Sequence, residues 1–162
     1  MSSTDTIVRT TGRSLIADEL FTRLSERIAT DHPDIDRGLA ERIMDQASAF
    51  LAAVGSRAGE KLSPSKLVDI GWHTFILYTR EYADYCERVA GGFIHHEPHD
   101  TPGAAGDTTC SVARTLAAIS AAGYVPDAEL WAAGDSAKCS DCSGSGANGD
   151  ENTEGRIPPP VH

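Results

Sequence analysis

The chain has 162 residues, of which 24 are Asp or Glu and 14 are Lys or Arg, for a net charge of −10. That length supports one ordinary hydrophobic core, and the acidity argues against nucleic acid as a partner, because phosphate binding takes clustered cations. No run approaches the roughly 18 apolar residues of a membrane span, and MSSTDTIVRTTGRS has no apolar signal region, so a cytoplasmic protein with no membrane partner is expected.

Residues 1–13 are rich in Ser and Thr and offer little to bury, which predicts a flexible arm. Ser14 is expected to cap a first helix with an apolar stripe of Ile16, Leu20, Phe21, Leu24 and Ile28, at spacings of three and four. His32-Pro33 ends it, since the residue before proline is driven out of the helical region. A second helix is predicted from about Ile35 to Val54, apolar along Leu39, Ile43, Ala47, Phe50, Leu51 and Val54, with Gly55 as its terminator.

The third segment opens with Ser63 as cap and Pro64 in the first turn. From Leu67 to Tyr78 it is apolar on nearly every side, the pattern of a helix surrounded by other elements, and it is expected at the centre of the bundle. Asp69 and His73, four apart on one face beside Trp72, are the polar exceptions. Unpaired inside an apolar helix, each would cost roughly 2–7 kcal/mol, so each needs a partner. A break is predicted near Thr79. A further stretch from Arg80 to Ala90 then carries Tyr82, Tyr85, Cys86 and Val89 inward, and Gly91-Gly92 stops it.

Phe93 to Pro102 reads as an irregular loop containing His95, His96 and His99, able to return towards His73. A helix from Asp107 or Thr108 to Ala122 follows, stopped by Gly123, and Pro126-Asp127 starts a short turn presenting Leu130 and Trp131. Residues 134–162 are dominated by Ser, Gly, Asp and Asn and end near three consecutive prolines, the composition of a disordered tail. The expected whole is all-α: one helical bundle of about five helices over residues 14–133, between the flexible arm and the tail.

Three constellations carry chemistry. A metal, zinc or another divalent transition ion, finds candidate ligands in His73, Asp69, His95, His96, His99 and Cys86, with Asp69 able to orient the imidazole or to ligate directly. The bland alternative is a buried Asp69–His73 hydrogen bond with solvated loop histidines. Cys139 and Cys142 form a C-x-x-C, half of a zinc-ribbon site, in a tail with no strand before it, which disfavours a thioredoxin-like redox motif. Finally, Asp69, His73 and Cys86 satisfy the bare residue list for a thiol enzyme or an enzyme accessory. Phosphate loops, G-x-S-x-G and H-E-x-x-H are missing, however, and no catalytic residue is assigned.

Val68-Asp69-Ile70-Gly71-Trp72-His73-Thr74, with Leu77, Thr79, Tyr82 and Cys86, resembles the D-x-x-W-H-x-h-x-L-x-x-x-x-Y-x-x-x-C pattern of the glycine-rich domain-containing-protein-like family. The chain is similar to a small actinobacterial branch in which such a domain runs through an I-H-H-x-P segment to a short cysteine-bearing tail. The resemblance covers Lys66 to Pro98 and implies a helical domain with Asp69, Trp72, His73, Tyr82, Cys86, His95 and His96 at its motif positions. It brings no ligand, and the glycine-rich repeat domain of the plant-type members has no counterpart here. The functional expectation is a small binding protein for a metal held near His73 and the His95–His99 loop, with an unidentified protein or small-molecule partner. The alternatives are the small enzyme or accessory and a substrate-like protein whose cysteine-bearing tail is modified or cleaved.

Overall fold

The computed structural model describes residues 10–97 and 108–132. A 3-10 turn over Gly12–Leu15 leads into α1 (Asp18–Asp31), α2 (Arg37–Ser56), α3 (Lys66–Leu77), α4 (Thr79–Tyr85), α5 (Thr108–Ala121) and α6 (Ala128–Ala132). The architecture is all-α, with no strand among the described residues beyond one isolated parallel bridge between Thr10 and Tyr124. No helix among them is long and apolar enough to cross a membrane. The outer part of the expected N-terminal arm, the tail from residue 134, His99, Cys139 and Cys142 lie outside the described residues.

The helix at the centre is α2, not α3. It touches the 3-10 turn, α1, α3, α5 and the turn that follows α4, and it buries Ala40, Ile43, Met44, Ala47, Phe50 and Leu51 among others. Its alanines leave backbone-close surfaces on which neighbours pack at high density. In α3 only Val68, Gly71, Trp72, Thr74 and Phe75 are buried, and Leu77 is 63% exposed. All-round apolarity therefore does not mean all-round burial here. Gly71 sets the α2–α3 contact, because a Cβ there would sit 2.8 Å from the Ala47 Cβ and 3.2 Å from the Ile43 carbonyl oxygen.

Local chemistry explains the boundaries. Asp36 caps α2 by accepting from the Leu39 amide at 2.8 Å. The cap of α3 is Ser65, which accepts from Val68, and not Ser63. The Ser63 amide is engaged elsewhere, donating to the buried Thr115 hydroxyl of α5 at 3.1 Å. Ser14 does not cap α1: it lies in the 3-10 turn and donates to the Thr11 carbonyl, while α1 begins at Asp18 with Asp18 and Glu19 favourably placed in its first turn. Gly55 does not terminate α2, which runs to Ser56. The glycine sits where a Cβ would meet the Ala90 Cβ at 2.5 Å. The short α6 docks on α2 through Gln46, whose Oε1 accepts from the Asp127 amide and the Trp131 indole, each at 2.9 Å.

The break after α3 is where it was expected, at Tyr78, whose ψ of 67° leaves the helical region. The chain reverses into α4 and then a π-helical turn, Cys86–Ala90, that stops at Gly91 with φ +73°. Those two changes of direction bring residues 93–97 back across α3, and the candidate site is built there.

Candidate metal centre

On α3, Asp69 and His73 are one turn apart, so their side chains lie together by helical geometry alone. The third member comes from the returning segment. His96 Nε2 lies 3.0 Å from Asp69 Oδ1, and His73 Nδ1 lies 3.2 Å from Asp69 Oδ2 and 2.9 Å from the Asp69 main-chain oxygen. Carboxylate and carbonyl oxygens only accept, so both ring nitrogens donate. The hydrogen on His73 is thereby placed on Nδ1 and that on His96 on Nε2. The lone pairs left free are His73 Nε2 and His96 Nδ1. One carboxylate holds two imidazoles whose ring centres are 4.2 Å apart.

The three residues can each present a ligand atom within 4.8 Å of the others. They are not buried as a pair inside an apolar helix. The His73 side chain is 58% exposed and that of Asp69 30%, whereas His96 is tucked against the protein at 13%. The expected cost of burying an unpaired charge does not arise at His73, which faces solvent. Trp72, next to it in sequence, turns into the core and meets the His96 ring edge-on at 4.4 Å.

The position of His96 is fixed from below. The Trp72 indole donates to the Tyr82 hydroxyl at 2.8 Å, and that hydroxyl donates to the Ile94 carbonyl at 2.6 Å. Burial pushes the Tyr82 phenol well above its ordinary pKa, so it remains a donor through the physiological range. The sequence marks Tyr82 as an inward-facing aromatic at a motif position, without a hydrogen-bonding role. The available cue was that a buried indole and a buried phenol each need a hydrogen-bond partner.

Two further sequence candidates among the described residues, Cys86 and His95, do not join this trio. Cys86 is fully buried in the core cluster, so the set Asp69, His73 and Cys86 does not converge on one surface. His95 is exposed and stacks edge-on against Phe93 at 4.9 Å, although it is adjacent to His96. A groove of about 340 Å3 between the start of α1 and α4 is lined in part by Arg80, Glu81, Asp84 and Arg88, and it shares no residue with the trio.

A family model described as UCP032817-like matches residues 10–121, more than half of the chain. No curated protein matches the chain, and no solved structure does. The matched span contains every member of the trio and the Trp72–Tyr82–Ile94 relay beneath it.

Proposed function

The chain belongs to the UCP032817-like family, and we propose that it is a small helical binding protein that holds a divalent transition metal, zinc-like in preference, at His73 and His96 with Asp69. The observation that carries this reading is the Asp69 carboxylate lying 3.0 and 3.2 Å from ring nitrogens on two different chain segments. Carboxylates that fix histidine rings in this way accompany imidazole-bound zinc, setting the tautomer and raising ligand basicity. With the ring tautomers exchanged so that these nitrogens carry the lone pairs, the spacing equally fits direct ligation by the same atoms in place of their hydrogen bonds to Asp69. Donors about 2.0–2.1 Å from a tetrahedral ion stand roughly 3.3 Å from one another.

Solvent exposure of His73 gives an ion a route in, and the enclosed side of His96 gives it a fixed wall. The test is elemental analysis of the full chain, untagged, after zinc loading and desalting. One zinc per chain in the wild type, absent from a His73→Ala/His96→Ala variant of unchanged helix content, is the expected result. Equal zinc in the two proteins, or none in the wild type, contradicts the proposal.

A second reading has its own observation. The ring hydrogens of His73 and His96 are already satisfied by Asp69 without an ion. On that reading the trio is a clasp tying residues 93–97 to α3, and its loss lowers stability with no effect on metal content.

A further inference from the structure

We propose that the trio is an open metal centre, whose ion keeps one coordination position for the carboxylate of a small acid with an apolar body. The inference rests on the reading of Asp69, His73 and His96 as a metal site. The donor set comes first. Two imidazoles and one carboxylate are three protein ligands, the set that zinc centres use when a fourth position is left for water or substrate, whereas closed structural sites are built mainly on thiolates. With Asp69, His73 Nδ1 and His96 Nε2 ligating directly, the ring hydrogens sit on His73 Nε2 and His96 Nδ1. Three donors within 4.8 Å of one another supply one face of a tetrahedron, and among the described residues no fourth His, Cys, Asp or Glu joins them. The open side has a direction. His96 is tucked against the protein with its ring on Trp72, while the His73 ring stands in solvent, so the ion faces outward on the His73 flank.

Charge and surroundings give the ligand its class. A divalent ion held by one carboxylate and two neutral imidazoles retains a positive charge, which favours an anionic fourth donor. Leu77 and Phe93 are the most exposed large apolar side chains among the described residues. Leu77 lies one turn beyond His73 on the same face of α3. Phe93 lies three residues before His96 in the returning segment, and it is held edge-on to the Tyr82 ring at 5.3 Å and the His95 ring at 4.9 Å. One exposed apolar side chain needs no explanation, but two that flank a cationic centre offer an anion's apolar body a surface. Phe93 is a fixed part of it, because Tyr82 that supports it is itself buried.

The experiment loads full-length apoprotein with cobalt(II), then titrates the cobalt protein with acetate and with phenylacetate while ligand-field absorption is followed. One cobalt per chain in the wild type, absent from a His73→Ala/His96→Ala variant, reports the metal centre itself. Both acids are expected to shift the bands with single-site saturation, phenylacetate at about tenfold lower concentration because its ring covers apolar surface. A Leu77→Ala/Phe93→Ala variant is expected to bind the two acids alike. Leu77→Ala alone, at an exposed position outside the core, is expected to narrow the difference, which keeps the test independent of any effect of Phe93 on the loop. Bands that neither acid moves, with cobalt held at the histidines, overturn the inference and leave the metal centre standing. Equal binding of the two acids by the wild type does the same, as does a preference that survives in both variants. A protein that takes up no cobalt, or keeps it in the histidine variant, overturns both.

Discussion

The Tyr82 hydroxyl donates to the Ile94 carbonyl at 2.6 Å, and this bond sets where the chain crosses α3 on its way to His96. The same oxygen accepts from Trp72, so one buried atom couples the core face of α3 to the segment that completes the candidate site. Replacing Tyr82 with Phe removes it and leaves the Trp72 indole and the Ile94 carbonyl without their partner. The expected loss is about 1–3 kcal/mol by chemical denaturation, with metal affinity reduced as well. Unchanged stability and affinity would show that the loop is positioned by something else.

Gly71→Ala tests the approach of α3 to α2. In an exposed helix the change would stabilise by about 1 kcal/mol. Here the added methyl meets a Cβ at 2.8 Å and a main-chain oxygen at 3.2 Å, neither of which is the far end of a flexible side chain. Overpacking of about 1–3 kcal/mol is expected to win, so the variant unfolds at lower denaturant than the wild type. A midpoint equal to or above that of the wild type would contradict the packing described.

Acid sensitivity should depend in part on Asp127. Two hydrogen bonds from Arg42, at 2.8 and 2.9 Å, are the main cause holding its carboxyl below the ordinary value. A depressed folded pKa stabilises the fold in the ionised state. Its contribution is fully present above the ordinary carboxylate value, near 3.8, and is lost as pH falls through the lowered one. Asp127→Asn should therefore lower the melting temperature at neutral pH and shrink the difference between neutral and strongly acidic conditions. A melting curve with the wild-type pH dependence would rule the pair out as a contributor.

Much of the chain's course was legible because turns and stops have local chemistry. The break before Thr79, the stop at Gly91 and the placement of Trp72 in the core follow from capping, left-handed backbone and apolar run length. The rank order of α2 and α3 did not follow, since Leu67, Ile70, Ile76 and Leu77 are apolar yet half-buried or exposed, while the alanines of α2 carry little sequence signal. Ser63 is the expected cap because Pro64 follows it in the first turn, whereas Ser65 is the cap of α3. The Ser63 amide is tied instead to Thr115 of α5, a tertiary bond with no local sequence signal. The site was legible in outline, because Asp69 and His73 share a turn and the loop had to return. Its phase was not. Along the segment after Gly92, neighbouring side chains point to opposite sides, which sends His96 to Asp69 and His95 to Phe93, and no residue type records that choice.

Calorimetric zinc titration of the full-length apoprotein beside its His96→Ala variant tests the metal centre most directly. His96 is the member that only the folded chain can bring to Asp69, from 27 residues away. Single-site binding in the wild type, weakened by more than about tenfold in His96→Ala with helix content retained, is the predicted result. Equal zinc affinity in the two proteins would contradict it.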